Sequence, residues 1–187
     1  MRAPLFERRL YQSGDTLDRA AFRLWQLEAE LMFSFRVGLP PIGRSYSRDE
    51  VVAAVDSVIV GFEIVESRFS SWPKVDAPLL LADLLSHGAI VVGSGTPLRT
   101  RIAFERLPFI FAVDGRRIVS CKGGNPAGDI IELLVWLAND LPTSGHELHA
   151  GDLVTTGSYT GMQFLRPGGR AEARVPGIGS VEIIRRA

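Results

Sequence analysis

Alternating hydrophobic and polar residues mark the most informative segment of the chain, WQLEAELMFSFRVG at residues 25–38. Every second residue from Leu27 to Phe35 is hydrophobic, and these residues alternate with Gln26, Glu28, Glu30, Met32 and Ser34. A repeat of two residues sends successive side chains to opposite faces of a strand. The pattern therefore predicts a strand with one buried face and with Glu28 and Glu30 together on the other face.

Further strands are predicted where β-branched and aromatic residues are concentrated. They cover VIVGFEIVESRF at 58–69, AIVVGSG at 89–95, FERRLY at 6–11 and the segments after residue 151, which glycines separate. In FERLPFIFAVDGRRIVSCKG at 104–123, two such arms flank Asp114-Gly115. This dipeptide favours a tight type I′ turn, so the segment predicts a hairpin.

Two main helices are predicted from capping signals. Ser47 precedes residues 48–58 as a plausible N-cap, and Glu50 stands three residues later, as in a capping box. A second helix is expected to open at Asn125 and Pro126 and to stop before Pro142. The segment LLLADLLSHGA at 79–89 stays ambiguous between helix and turn. Together the elements predict a single α+β domain over residues 1–187, rich in strands.

Composition excludes several classes of protein. The chain has 187 residues, with 21 basic and 21 acidic side chains, so the excess of positive charge typical of a nucleic-acid-binding protein is missing. One cysteine, Cys121, permits neither an internal disulfide nor a cysteine metal cluster. No segment has the pattern of a signal peptide or of a membrane span. We therefore expect a cytoplasmic protein that binds neither nucleic acid nor membrane.

Glutamates supply the first candidates for chemistry. Carboxylates two residues apart on a strand, such as Glu28 and Glu30, repel each other unless water or a cation separates them. A hard divalent ion would accept them as ligands, but the spacing alone favours a solvated strand face. Glu63 lies in a strongly apolar run, where a carboxylate is unwelcome unless it is paired or bound to a metal. Both interpretations of Glu63 remain open from the residues alone.

Polar groups elsewhere admit functional and structural interpretations. Thr156, Gly157 and Ser158 end a predicted strand and can offer hydroxyls and backbone N–H groups to an anion, or form an ordinary turn. His87 is either a general acid–base group or a capping side chain. His146 and His149 have no third ligand nearby in the sequence, which argues against a metal site there.

Five blocks, in this order and spacing, resemble the 2-keto-4-pentenoate hydratases and 4-oxalocrotonate decarboxylases of the fumarylacetoacetate hydrolase superfamily. The blocks are LEAELMFSFRVGLPP, EVVAAVDSVIVGFEIVESRFSSW, LLADLLSHGAIVVG, LLVWLANDL and LHAGDLVTTGSYTGM. The resemblance implies a mixed, rolled β-sheet barrel with a few peripheral helices, in a homo-oligomer. It also implies that Glu28, Glu30 and Glu63 hold Mg²⁺ or Mn²⁺. Thr156, Gly157 and Ser158 would line the pocket of a small 2-oxo acid substrate.

The activity implied by this resemblance is hydration of 2-oxo or 2-hydroxydienoic acids in aromatic-compound catabolism, with Asp83 and His87 as catalytic candidates. Alternatives are a decarboxylase or a C–C bond hydrolase of the same superfamily, or a non-catalytic subunit that binds metal or 2-oxo acids or assembles with partners. Two departures stand out. The lysine and the acidic residue of the family's N-terminal region would precede residue 1, and Leu84 replaces the usual asparagine after Asp83.

Overall fold

Two mixed β-sheets and three α-helices make up the described part of the computed structural model, which covers residues 2–98 and 102–187. In spatial order, the first sheet contains β1 (Leu10–Gln12), β5 (His87–Pro97), β4 (Val55–Val65), β3 (Gln26–Phe35) and β8 (Leu153–Ser158), and β9 (Gln163–Phe164) also pairs with β3. The second contains β2 (Thr16–Leu17), β11 (Gly179–Arg185), β10 (Arg170–Val175), β6 (Pro108–Val113) and β7 (Arg116–Lys122). The predicted α+β class is confirmed.

The two sheets pack face to face and meet where β5 approaches β11. At this junction the Ser94 hydroxyl accepts a hydrogen bond from the Ser180 backbone N–H at 2.8 Å. Gly93 has no room for a side chain, because a Cβ there would lie 2.3 Å from the carbonyl oxygens of both Ser180 and Val60. The first sheet is thus rolled against the second at a glycine.

Antiparallel pairing of β3 with β4 forms the centre of the first sheet. The register places Glu28 opposite Glu63 and Glu30 opposite Gly61. One face of the pair carries the hydrophobic core, with Leu27, Ala29, Leu31, Val60 and Phe62 fully buried. The glutamates lie on the opposite face. The prediction of one buried face for β3 was wrong, since Glu30 and Met32 are buried on the other face as well.

The helices flank the sheets and differ from prediction at their ends. Helix α1 (Arg48–Ala54) has the predicted capping box, in which the Ser47 hydroxyl accepts from the Glu50 N–H and the Glu50 carboxylate accepts from the Ser47 N–H. It ends earlier than expected, because Val55 already pairs with Phe35 in the sheet. The segment at 79–89, which the sequence left ambiguous between helix and turn, contains both. Helix α2 (Ala77–Ala82) covers its start, and a short 3₁₀ turn follows at Leu84–Ser86.

Helix α3 (Ile130–Asp140) begins later than predicted. Asp129 is its N-cap and accepts from the Ile131 N–H, while Gly128 has a φ of +71°, which breaks helical continuity before that point. Asn125 instead forms a local turn by accepting from the Ala127 N–H at 2.9 Å. No helix in the described residues has the length and apolar character needed to cross a membrane.

The predicted hairpin at Asp114-Gly115 is confirmed, with β6 and β7 as its arms. Both turn residues have positive φ angles, +51° and +76°, as a type I′ turn requires. The N-terminal strand prediction was partly wrong. Residues Glu7–Arg9 form a 3₁₀ turn, and pairing starts only at Leu10 in β1.

Candidate metal centre

Three carboxylates, which we call the carboxylate cluster, converge on the outer face of the β3–β4 pair. Glu28, Glu30 and Glu63 each offer one oxygen, and these oxygens lie within 4.8 Å of one another. Strand geometry explains the arrangement, because residues two apart on β3 share a face and Glu63 is directly opposite Glu28 on β4. The structure therefore brings together the three glutamates that the sequence singled out.

Burial and mutual repulsion raise the pKa values in the carboxylate cluster. Burial and, to a smaller extent, the neighbouring Glu63 charge together raise the pKa of Glu28 to about 7, and a hydrogen bond with Ser158 opposes the rise. Desolvation raises the pKa of Glu30 well above its usual range, and the neighbouring charges of Glu63 and Glu28 add to this effect. Three acidic groups so close together disfavour full ionisation unless a positive charge joins them.

Each carboxylate of the cluster has a hydrogen-bonding partner from the chain. The Thr155 hydroxyl and the Gly157 N–H, the latter at 3.1 Å, both donate to one oxygen of Glu30. Glu28 pairs with the Ser158 side chain. Glu63 lies 2.9 Å from a ring nitrogen of His87. These partners fix the carboxylates while leaving oxygens available to a ligand.

A divalent cation fits this donor set. Mg²⁺ and Mn²⁺ prefer oxygen ligands, and they are commonly bound by a few carboxylates while they keep waters. A dication would also neutralise the repulsion that raises the pKa values of Glu28 and Glu30. Glu28, Glu30 and Glu63 are the residues that would hold such an ion.

A cavity of about 640 Å³ opens beside the cluster, and Glu30 and Glu63 lie in its wall. Much of the remaining wall is leucine, supplied by the turn after α2, by α3 and by the loop before β8: Leu84, Leu85, Leu133, Leu134, Leu137 and Leu148. Thr155, Thr156 and Gly157 of β8 complete the wall next to the carboxylates. The site thus combines an acidic end with an apolar chamber, as small-molecule sites commonly do.

The predicted threonine–glycine–serine turn lies at the site, but its polar groups already have partners within the chain. The Thr156 hydroxyl donates to the Leu31 carbonyl at 2.9 Å, while Gly157 and Ser158 contact Glu30 and Glu28. Their role in contacting substrate stays a prediction. Asn125 supports the same turn, because its amide donates to the carbonyls of Thr156 and Gly157 at 2.9 and 3.2 Å.

Sequence reasoning missed Thr155 and the supporting role of Asn125. Thr155 precedes the predicted turn by one residue, and its importance comes from a strand register that places β8 beside Glu30. The sequence held a weak signal for Asn125, which was interpreted as a helix cap. Its true partners lie about thirty positions away along the chain, at Thr156 and Gly157.

Asp83 is buried behind the site and does not line the cavity. Its carboxylate accepts from the Ser67 hydroxyl at 2.6 Å and from the Arg68 backbone and guanidinium groups at 3.3 Å. The next three residues, Leu84–Ser86, have φ angles of +54°, +59° and +67° and form what we call the left-handed turn. Such angles are costly for residues with a Cβ, so surrounding contacts must hold the turn.

Those contacts come from several directions. The Trp72 indole N–H donates to the Ser86 hydroxyl at 3.0 Å, and the Ser86 carbonyl accepts from the Glu66 N–H at 2.8 Å. The turn presents Leu84 and Leu85 to the cavity and leads directly into His87. Asp83 therefore contributes to the shape of the site through the backbone that follows it.

His146 and His149 do not form a metal site with each other in the structure. His146 lines the cavity, whereas His149 is exposed and its ring lies near Glu147 and Asp152 at 3.4 and 3.7 Å. Among the residues described, the carboxylate cluster is the group of three or more acidic, histidine or cysteine side chains with metal-ligand spacing. The sequence-based argument against a metal at His146 and His149 stays a prediction.

Comparison with known proteins gives a matching family model and a set of curated relatives. The family described as fumarylacetoacetate (FAA) hydrolase C-terminal matches residues 6–183. A 2-keto-4-pentenoate hydratase of Paraburkholderia xenovorans is 29% identical over 178 residues, which are 95% of this chain and 65% of that protein. The chain thus spans about 65% of the length of such curated relatives.

Solved structures share the fold. The 4-oxalocrotonate decarboxylase from Pseudomonas putida G7, complexed with magnesium and adipate, gives a TM-score of 0.83 at 24% identity, covering 96% of this chain and 67% of that one. A fumarylpyruvate hydrolase from Pseudomonas aeruginosa, in complex with Mn²⁺ and pyruvate, gives a TM-score of 0.66 at 17% identity. That match covers 95% of this chain and 73% of the other. At these identities the likeness concerns the fold.

Proposed function

Since the chain belongs to the fumarylacetoacetate hydrolase C-terminal family, we propose that it is a divalent-metal-dependent hydratase of short 2-oxo or 2-hydroxydienoic acids. The observation that carries the proposal is the carboxylate cluster at one end of the leucine-lined cavity. The relatives that match over nearly the whole chain include 2-keto-4-pentenoate hydratases, which supports the hydratase activity. The magnesium and Mn²⁺ in two solved structures of this fold support the choice of ion.

Glu28, Glu30 and Glu63 would hold Mg²⁺ or Mn²⁺ in this proposal. When bound, the ion supplies Lewis-acid chemistry that draws electron density from a 2-oxo group beside a carboxylate. Thr155 and Gly157 keep Glu30 oriented through the hydrogen bonds to its carboxylate. The leucine wall excludes water from the carbon chain of the acid, which strengthens the electrostatic interactions at the acidic end.

Asp83 and His87 enter the proposal as positioning groups rather than as proton donors. Neither lines the cavity, and both are almost fully buried, with 3% and 2% of their surfaces exposed. A general acid or base must come within hydrogen-bonding reach of the substrate or of one intervening water. Of the described cavity-lining side chains outside the cluster, His146, Glu147 and Asp152 are the ones that carry an imidazole or a carboxylate, so they are the candidates for proton transfer to a substrate.

The cavity favours a monocarboxylic acid over the dicarboxylic substrate expected for a decarboxylase of the 4-oxalocrotonate type. Its described basic lining residues are Arg2 and His146. The Arg2 guanidinium already donates to the Asp140 carboxylate at 2.7 Å and to the Ser144 hydroxyl at 2.6 Å. A second carboxylate placed against the leucines would lose water, and the one basic lining side chain without an ion pair among the described residues is the His146 imidazole. Hydration of a monoacid is therefore the leading function.

The first experiment is calorimetric titration of the purified chain with Mn²⁺, followed by oxalate. We expect Mn²⁺ to bind, and oxalate to bind only in its presence. Glu63→Gln should abolish Mn²⁺ binding with an unchanged circular dichroism spectrum, because it removes a charged ligand and keeps the side-chain volume. The matched control is Glu172→Gln on the exposed face of β10. Unchanged Mn²⁺ affinity in the Glu63 variant would contradict the assignment of Glu63 as a metal ligand.

The second experiment compares two acids of equal length on the Mn²⁺-loaded protein. We expect 2-oxopentanoate to bind at least about tenfold more tightly than 2-oxoglutarate, because the second carboxylate would lose water against the leucines. Turnover is then measured as water addition to 2-keto-4-pentenoate and as carbon dioxide release from 4-oxalocrotonate. Faster carbon dioxide release than hydration would reverse the choice between the two activities.

A further inference from the structure

A buried histidine contacts one carboxylate of the cluster from the protein side. His87 begins β5, and its side chain is 2% exposed. Its Nδ1 atom lies 2.9 Å from Oε1 of Glu63, a carboxylate that does line the cavity. The ring therefore reaches the site only through Glu63.

The hydrogen-bonding inventory identifies the donor in this contact. A carboxylate that binds a metal ion is ionised and only accepts hydrogen bonds, so in the metal-bound site Nδ1 must carry the hydrogen. The other ring nitrogen, Nε2, is buried and has no hydrogen-bond partner among the described residues. A bare Nε2 leaves only a lone pair without a partner, whereas an N–H there would leave a buried donor unsatisfied. The geometry is that of a neutral ring with hydrogen on Nδ1.

Hydrogen bonds to the backbone of His87 fix its position and therefore the orientation of the ring. Its carbonyl accepts from the Arg68 guanidinium at 2.7 Å, and the same guanidinium contacts Asp83 at 3.3 Å. Its backbone N–H donates to the Leu84 carbonyl, and the residue pairs with Val65 across the sheet. The ring position is thus fixed by the left-handed turn on one side and by β4 on the other.

We propose that His87 is a positioning residue that holds Oε1 of Glu63 and so keeps the other carboxylate oxygen directed to a divalent ion shared with Glu28 and Glu30. This inference rests on the proposed metal site, and it adds a residue whose removal changes metal affinity without removing a ligand. Partners that hydrogen-bond to metal-ligating groups commonly contribute about 10- to 100-fold to metal affinity. His87 does not line the cavity beside the cluster, so in this proposal it acts on Glu63 as a positioning residue and not as a catalytic one.

Two substitutions at the same position separate the hydrogen bond from the packing. His87→Asn keeps an N–H close to the position of Nδ1, whereas His87→Leu fills similar space without a donor. Mn²⁺ affinity is measured from the free-ion electron paramagnetic resonance signal, and the unfolding midpoint of each metal-free variant is recorded. We expect His87→Leu to weaken Mn²⁺ binding by about 10- to 100-fold and His87→Asn to recover most of that loss.

A measurement on the unsubstituted chain covers the case in which a variant does not fold. The ring nitrogen resonances of His87 are recorded with and without Mg²⁺, and the other histidines, His146 and His149, are identified by substitution. We expect hydrogen on Nδ1 and a bare Nε2 in the Mg²⁺-bound state, where Glu63 must be an acceptor. The reverse tautomer overturns the inference.

The outcomes distinguish this inference from the proposed function. If the unsubstituted chain does not bind Mn²⁺, the metal site fails and the role of His87 fails with it. If that chain binds Mn²⁺ and His87→Leu binds within about twofold of it, only the positioning role fails. Equal weakening by the folded Asn and Leu variants also overturns the role, because the hydrogen bond would then not be the cause.

Discussion

Glu30 shows how strongly a residue's surroundings can change its chemistry. It is 1% exposed, accepts hydrogen bonds from Thr155 and Gly157, and faces the charges of Glu28 and Glu63. The hydrogen bond from Gly157 favours the ionised form, while burial and the neighbouring charges disfavour it more strongly. Without a cation, the folded state holds protons in this cluster that the unfolded chain would release.

The stability of the metal-free protein should therefore fall as pH rises from about 5 to 8. Glu28 has a folded pKa of about 7 against 4.5 for the free group, so the folded state binds more protons between these values and loses stability as pH increases. Glu50 does not add to this slope. Its pKa is lowered to about 2, so its contribution to stability is complete above pH 4.5 and stays constant from pH 5 to 8. Urea unfolding at a series of pH values measures the slope.

Glu28→Gln serves as the control for this slope, because an amide does not titrate. The pH dependence of its unfolding free energy should be shallower than that of the unsubstituted chain. Saturating Mn²⁺ should also raise stability, since the ion binds the folded state. A metal-free protein that becomes more stable from pH 5 to 8 would contradict the prediction.

Among the structural elements, the left-handed turn departs furthest from what its sequence favours. Leu84, Leu85 and Ser86 all have positive φ angles, and leucine has no side-chain group that stabilises this conformation. Asparagine tolerates the left-handed region better than leucine does. The turn is held by Trp72, Glu66 and the Asp83 network rather than by local preference.

Replacing Leu85 by asparagine should cost less stability than the same change at Leu81. Both leucines are similarly exposed, 43% and 41%, but Leu81 lies in helix α2 and Leu85 has a φ of +59°. Relief of left-handed strain should make the two losses of unfolding free energy differ by about 1 kcal/mol. Urea unfolding of both variants gives the difference, and a larger loss at Leu85 would show that the turn is not strained.

The sequence predicts elements better than it predicts their ends and contacts. The strand of Leu27–Phe35, the capping box at Ser47 and the hairpin at Asp114-Gly115 depend on local patterns, and the structure has all three. The start of α3 was mispredicted because the Asn125 amide binds the backbone of β8, a partner distant in sequence. Glu63 remained ambiguous for the same reason, since only the pairing of β3 with β4 places it opposite Glu28.

At the scale of the whole molecule, the close approach of β5 to β11 decides how the sheets pack. Gly93 is the point of contact, and backbone atoms on both sides leave no space for a methyl group. Backbone cannot move aside as a flexible side chain can, so overpacking there must separate the sheets. The hydrophobic core between the sheets depends on that separation.

Gly93→Ala should therefore lower the free energy of unfolding by about 2 kcal/mol or more. Ser94→Ala at the same junction is the control, and it removes only the hydroxyl, which accepts from the Ser180 N–H and donates to the Ser180 carbonyl. Its expected cost is smaller, about 1 kcal/mol. Chemical denaturation of both variants tests the ranking, and a Gly93 variant as stable as the unsubstituted chain would exclude a tight junction.

The carboxylate cluster belongs entirely to one pair of neighbouring strands, β3 and β4. The rest of the cavity wall comes from other parts of the chain, including α3, the left-handed turn and β8. Substitutions in the leucine-rich wall that α3 supplies can accumulate without displacing a ligand, because the register of β3 and β4 places the three glutamates and α3 does not hold them. Proteins built on the same strand pair can therefore differ in the shape of the cavity while they keep the three ligand positions.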